Sequence, residues 1–468
     1  MPQPPRARDG ATAPASAAPL AECRRENLAL LTDLYQLTML QAYLEEGLHE
    51  TAVFSLFARR LPPPRNFLLA CGLADALALL ETLTFERPWL DRLDALGLLS
   101  ERTLRWLEAF RFSGDVHAVP EGTPVFGQEP LLEVEAPLPE AQIVETIVLN
   151  QVHFQTVAAS KAARVVLAAG GRPVVDFGLR RMHGTDAGLK AVRAFFVAGV
   201  HATSNVLGGL AYGVPVRGTM AHSYVQAHES ELDAFRAFVR TWPDAVLLVD
   251  TYDTAAGVAN VVHLSRELGR DFRVRGVRLD SGDLGALAKQ ARALLDEAGL
   301  ANVEIFASGG LDEREVASLV AAGAPIDAFG VGTALGVSAD APALDMAYKL
   351  VHYAGKDRLK LSAGKALLPG RKQVFRVEPA GLAEKDVLGR REERGPGRPL
   401  LRPVMREGRS LPEGCVGPHA ARAHAARALA SLPVRLRSLE PATPPYPVEI
   451  SDALGAARAR AVEERRPS

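Results

Sequence analysis

Val246-Leu-Leu-Val-Asp-Thr-Tyr-Asp-Thr254 and Val274-Arg-Gly-Val-Arg-Leu-Asp-Ser-Gly-Asp283 decide the fold. Each is a short apolar run that gives way at once to polar and acidic residues. A stretch of helical period follows each, at 254–268 and 284–298. Working outward, the same unit recurs. Apolar runs at 174–177, 200–203, 214–216, 303–306 and 326–331 bring the expected strands to seven. Strands alternating with helices imply right-handed βαβ units and a parallel sheet. Seven in succession favour an irregular, incomplete parallel β/α barrel over 139–340, with an open doubly wound sheet as the alternative.

The flanks read differently. Residues 21–138 carry helical periodicity at 27–46, a strand-like run at 53–57 and a β-like, Gly/Pro-punctuated stretch at 114–136. They read as an N-terminal α/β domain. Residues 139–169 form a long helical stretch. From 341 to 468 the alternation dissolves into a basic β-like segment (348–376), a charged linker or loop (384–412) and an Ala-rich helix (420–430). This C-terminal segment is expected partly to complete the N-terminal domain and otherwise to be loop or tail. Residues 1–20, rich in Pro, Ala and Arg, read as a disordered leader.

Bulk properties narrow the function. A formal net charge of −1 over 468 residues supplies no field for nucleic acid or anionic lipid, so any phosphate site must be local. Cys23, Cys71 and Cys415 form neither a C-x-x-C pair nor a zinc spacing, which suits a reducing compartment. No signal-peptide block and no long apolar run is present, so a cytoplasmic protein without a membrane span is expected.

In a parallel barrel the carboxyl ends of the strands converge on one mouth. The exits here read Asp176 to Arg180, Thr203-Ser-Asn205, Gly218-Thr219 with His222, Asp250 to Thr254, Arg278 to Asp283, Ser308-Gly309-Gly310, and Gly330-Val-Gly332-Thr333. Asp283, Asp312 and Thr254 could equally be helix caps. Arg180, Arg278 and His222 are poor caps. Two glycine loops, at Gly309-Gly310 and Gly332-Thr333, precede helices and suit a phosphate on free backbone N–H groups. Neither the dinucleotide fingerprint nor a Walker-type loop is present. Asp250, Asp280 and Asp283 beside a phosphate site suit Mg²⁺ (or Mn²⁺) held through waters and phosphates instead of a full protein cage. Asp280 could instead accept from a ribose hydroxyl. For His222 the residue types leave several roles open: general base, metal ligand, phosphoryl acceptor or satisfied core histidine.

Taken together these stretches resemble nicotinate phosphoribosyltransferases. The resemblance rests on Thr32-Asp-Leu-Tyr-Gln-Leu-Thr-Met39, Phe67-Leu-Leu-Ala-Cys-Gly-Leu73, Val175-Asp-Phe-Gly-Leu-Arg-Arg181, Thr203-Ser-Asn-Val-Leu207 and Gly218-Thr-Met-Ala-His-Ser223. It continues in Val249-Asp-Thr-Tyr-Asp-Thr254, Gly276-Val-Arg-Leu-Asp-Ser-Gly-Asp283 and Gly330-Val-Gly-Thr333, in family order from about 27 to 376. What it implies is a type II phosphoribosyltransferase, now classed as a C–N ligase, that joins nicotinate to phosphoribosyl pyrophosphate (PRPP). ATP hydrolysis is coupled through a phosphohistidine, in pyridine nucleotide salvage toward NAD. It also implies a homodimer. By the same resemblance His222 is the phosphorylated residue, Arg278 and Thr219 hold nicotinate, and Tyr35 stacks on the pyridine from the partner subunit. Gly332 and Thr333 take the PRPP 5-phosphate. Arg180, Asp280 and the Ser308–Gly310 loop lie on the base, ribose and phosphate sides. Asp250 is the carboxylate expected to orient His222. The rival readings are a same-fold enzyme using nicotinamide or quinolinate, a sugar-phosphate aldolase or isomerase, and a non-catalytic protein that kept the fold. The second would need a Schiff-base lysine or a carboxylate base inside a strand, and Lys161 and Lys190 fall on expected helices.

Overall fold

The computed structural model describes residues 26–361 and 367–464; the leader expected over 1–20 lies outside them. Six short parallel strands form one sheet: β1 (Val174–Asp176), β2 (Ala202–Thr203), β3 (Val246–Leu248), β4 (Gly276–Leu279), β5 (Glu304–Ala307) and β6 (Ala328–Val331). Their order is β2-β1-β6-β5-β4-β3, so the first strand pairs with the last and the sheet curls into a ring. The apolar run at 214–216 is a reduced seventh member. It contributes one parallel bridge, Val216 to Thr203, outside β2. Nothing among the described residues pairs Val216 with β3, so the barrel stays open there. Pro215 explains the reduction, because proline lacks the N–H a ladder needs.

One face of each strand is fully buried. Val277, Leu279, Ile305, Ala307, Phe329 and Val331 pack in one core with the inner faces of the surrounding helices, while the opposite face carries the half-buried Arg278 and Phe306. Burying such an apolar core side chain contributes about 1.5–3 kcal/mol. Capping sets where the helices begin. Asp253 caps Thr254–Leu268, Asp283 caps Leu284–Glu297, and Asp312 forms a capping box with Glu315 on Glu313–Ala321.

A second sheet of seven strands joins both ends of the chain. Thr51–Ala58 and Pro130–Pro137 pair at its centre, and the C-terminal strands Met346–Tyr353 and Arg402–Arg406 flank Thr51–Ala58 and Asp115–Ala118. The helix Glu145–Ala168 links the two bodies: Ile147, Val148 and Val152 belong to the core of the second sheet, and Ala158 to Val165 largely to the barrel core.

Two helices follow the Val216 exit, His222–Gln226 and Glu231–Thr241, because Ser230 caps the second by accepting from Asp233 N. Two local readings need correction. The long stretch from 139 is split, into Leu138–Ile143 and Glu145–Ala168. The charged segment 384–412 is not simply a linker; it holds the strands Lys385–Arg390 and Arg402–Arg406. Its charges mislead because several are buried in pairs. Asp386 is fully buried against Arg376, with Nη2 to Oδ2 at 2.6 Å, and also accepts from the Tyr446 hydroxyl at 2.9 Å.

Candidate active site

Arg278, the third residue of β4, organises the mouth. Its Nε donates to Ser308 Oγ (2.8 Å), Nη1 to Thr219 Oγ1 (2.7 Å) and to the Met220 carbonyl (3.3 Å), and Nη2 to Asp280 Oδ1 (2.7 Å). Four of the five guanidinium N–H bonds are thus engaged, and one on Nη2 remains. The exits of β4 and β5 and the loop after Val216 are tied together through this one side chain. The Phe177 ring lies below the guanidinium, 5.4 Å from its carbon, a cation–π contact.

Asp280 is the second hub. Its Oδ1 takes Arg278 Nη2 and the Ser308 hydroxyl (2.5 Å), while Oδ2 stands 3.8 Å from His222 Nε2. Burial pushes the Asp280 carboxyl up, but the hydrogen bonds from Arg278 and Ser308 outweigh it and hold the group below the usual carboxylate range. It is a fixed anion facing the imidazole. His222 opens the helix His222–Gln226, and its side chain is 41% exposed, so one edge of the ring is reachable.

Asp250 does not touch His222, contrary to expectation. Its Oδ2 accepts from Asp280 N (2.9 Å) and Ser281 Oγ (2.7 Å), which pins the β4 exit. The neighbour of His222 Nδ1 is Thr251 Oγ1, at 3.2 Å. Asp250 follows the strand by two residues and points sideways to β4; Thr251, one residue on, reaches the histidine. Asp250 Oδ1 is buried without a partner. Such an oxygen fits a divalent cation or one of its waters. The described residues hold no cluster of three or more His, Cys, Asp or Glu able to cage a metal, so this donor set fits Mg²⁺ carried mostly by water and phosphate oxygens. Asp283 is a helix cap, its Oδ1 accepting from Ala286 N at 3.0 Å.

The glycine loops divide in their roles. Gly309 has φ +92°, and a Cβ there would collide with the Asp280 carbonyl, so only glycine lets the β5 exit lie against the β4 exit. The helix after Gly310 has its first N–H groups occupied, since Asp312 accepts from Arg314 N and Glu315 N. Amides open to a phosphate on this side are those of the Gly309-Gly310 loop itself, ahead of the capped turn. Gly332 differs: the turn Thr333–Gly336 starts with no side-chain cap, leaving its first amides open. Gly332 lies against the Phe177 backbone, 3.5 Å from the position of an added Cβ. A continuous path therefore runs from Gly332 through Phe177, Arg278 and Asp280 to His222. Arg180, in the turn Leu179–Arg181, is exposed and makes no ion pair among the described residues.

Tyr35 is not brought to this mouth. It stands 48% exposed on the helix Leu34–Glu46 of the second sheet's domain, with Leu31 and Leu34 exposed beside it. Cavities of about 560 and 450 Å³ also lie elsewhere, against the helix Asp452–Glu463; in the larger, Asp357 is paired with both His352 and Arg390. Sequence reasoning gave no role to Thr251 or Phe177. Both stand in the strand-exit motifs, and only their contacts reveal them.

The exits of this parallel sheet set a partly exposed imidazole, a hydrogen-bonded guanidinium and an uncapped glycine-led turn along one chain of contacts, an arrangement suited to an anionic substrate. The chain belongs to the nicotinate phosphoribosyltransferase family: the family's N-terminal domain matches residues 30–153 and its main domain residues 173–360. It is 55% identical over 426 residues to nicotinate phosphoribosyltransferase pncB2 of Mycobacterium tuberculosis, covering 91% of this chain and 92% of the relative. It is 44% identical over 361 residues to the nicotinate phosphoribosyltransferase of Bacillus subtilis, covering 75% and 74%. Human nicotinic acid phosphoribosyltransferase superimposes with a TM-score of 0.82 at 30% identity, over 92% of this chain and 99% of that one.

Proposed function

We propose that this chain joins nicotinate to PRPP, forming nicotinate mononucleotide and pyrophosphate, and couples the reaction to ATP hydrolysis through His222. The observation that carries the reading is Arg278, a guanidinium held by three neighbouring side chains with one N–H left for an incoming carboxylate. The nicotinate carboxylate adds to this group, with Thr219 beside it. The 5-phosphate takes the Gly332-Thr333 amides, and Arg180 supplies further positive charge. The C1–O bond to pyrophosphate breaks with its electron pair leaving on oxygen, and the pyridine nitrogen lone pair closes on C1. Little covalent work falls to side chains, so positioning and charge carry the rate. Where Mg²⁺ is bound, Asp250 and the waters near Asp283 would hold it, and it would neutralise the pyrophosphate.

The chain works as a homodimer in this reading, with Tyr35 and its exposed apolar neighbours presented to the partner's mouth. No described helix is long and apolar enough to cross a membrane, which accords with a cytoplasmic enzyme of NAD salvage.

Two experiments test this. Given PRPP and ATP, the protein converts nicotinate to its mononucleotide and leaves nicotinamide and quinolinate largely unused; equal turnover of nicotinamide would overturn the role of Arg278. His222→Ala keeps slow ATP-independent synthesis and loses ATP hydrolysis; a variant still stimulated by ATP like the parent removes the phosphohistidine.

A further inference from the structure

We infer that Thr251 is a positioning residue that holds the His222 ring by Nδ1 and so leaves Nε2 as the nitrogen that accepts the phosphoryl group. This rests on the proposed coupling through His222. The geometry is local and specific. Thr251 Oγ1 lies 3.2 Å from Nδ1, within hydrogen-bond reach, and this is its one side-chain hydrogen bond among the described residues. On the other edge of the ring, Asp280 Oδ2 is 3.8 Å from Nε2, beyond that reach, and Asp280 Oδ1 is already committed to Arg278 and Ser308. The hydroxyl can either donate to Nδ1 or accept from it. If it donates, the proton of the neutral ring sits on Nε2 and no ring lone pair is free. If it accepts from Nδ1–H, a lone pair stands open on Nε2, on the partly exposed edge. Only the second state is nucleophilic.

The loop that carries Thr251 is held at both ends. Asp250 is fastened to Asp280 N and Ser281 Oγ, and Asp253 caps the following helix through Ala256 N. Gly257, in the first turn of that helix, packs so closely on the Val249 carbonyl that any Cβ would clash. The hydroxyl is therefore delivered from a rigid turn. In the step itself, the Nε2 lone pair attacks the γ-phosphorus of ATP. The bond from that phosphorus to the bridging oxygen breaks, and its electron pair leaves on ADP. The proton stays on Nδ1, held by Thr251. In hydrolysis water attacks phosphorus, the P–N pair returns to Nε2, and phosphate departs.

Three forms of the whole enzyme test this: the parent, Thr251→Val, which keeps the shape and loses the acceptor, and Thr251→Ser, which keeps the hydroxyl. The readouts are the phosphohistidine isomer by NMR after ATP treatment, and the synthesis rate with and without ATP. The parent should carry phosphate on Nε2. Thr251→Val should lose ATP stimulation by about tenfold, the effect of one hydrogen bond, while the ATP-independent rate holds. Thr251→Ser should restore coupling. Phosphate on Nδ1 of the parent, or full coupling in Thr251→Val, overturns the assignment alone. A parent that takes no phosphate at all overturns the histidine coupling and this assignment with it.

Discussion

Replacing Arg278 by lysine keeps the charge and removes the fork. Arginine here makes four hydrogen bonds spread over Ser308, Thr219, the Met220 carbonyl and Asp280, and keeps one N–H in reserve. A lysine ammonium has three N–H bonds on a flexible stem. It can satisfy Asp280 and one other neighbour, and its third N–H is not aimed at a substrate carboxylate by a rigid fork. A charge-assisted hydrogen bond contributes about 1.5–3 kcal/mol. Loss of the substrate pair therefore lowers kcat/KM for nicotinate by about 2–3 kcal/mol, roughly 30- to 150-fold. The assay is steady-state synthesis of nicotinate mononucleotide at saturating PRPP and ATP, with thermal unfolding as the control for folding. Thr219→Val serves as the internal comparison, because it removes one contact to Arg278 and leaves the fork in place. A lysine variant that is folded and keeps parental kcat/KM for nicotinate would refute the reasoning.

Other outcomes follow from the same contacts. Gly309→Ala forces a Cβ into the Asp280 carbonyl from a backbone at φ +92°, so it should raise the KM for PRPP and lower the melting temperature, costing about 2–4 kcal/mol in differential unfolding. Asp386→Ala removes the carboxylate hydrogen-bonded to buried Arg376, leaving it the Pro124 carbonyl and the nearby Glu129, and should destabilise by about 3 kcal/mol in urea unfolding; a neutral result would detach the strand Lys385–Arg390 from the fold's stability. For Asp340, burial raises the carboxyl, but Arg65 and Lys161 prevail and bring it down to about 2. Stability from such a lowered group is present above its unfolded value near pH 4 and is lost as pH falls through about 2. Asp340→Asn should therefore be less stable at neutral pH and show a flatter acid limb between about pH 4 and 2.

Much of the fold and of the mouth is legible in the amino-acid sequence, and the reasons are particular. The barrel can be read because short apolar-rich runs with polar exits alternate with capped helices. Arg278 and His222 stand out because neither suits a helix cap. What the residue order conceals depends on direction in space. Asp250 and Thr251 are adjacent in the chain, and only the twist of the β3 exit decides that the threonine reaches the imidazole and the carboxylate braces the backbone. The strand Lys385–Arg390 is hidden because its charges look solvated until Arg376 and Asp386 are seen buried together. Gly309 and Gly332 read alike in sequence, yet the Asp312 capping box takes the amides of Arg314 and Glu315 beyond the first loop, while no side chain caps the turn after the second.

The account depends on one mouth serving both ends of the product. A crystal structure with nicotinate mononucleotide bound tests that directly. The pyridine carboxylate should lie within hydrogen-bond distance of Arg278 Nη2, and the phosphate on the backbone amides that follow Gly332. Density for the nucleotide away from Arg278, or with its phosphate outside the Gly332-Thr333 turn, would contradict it.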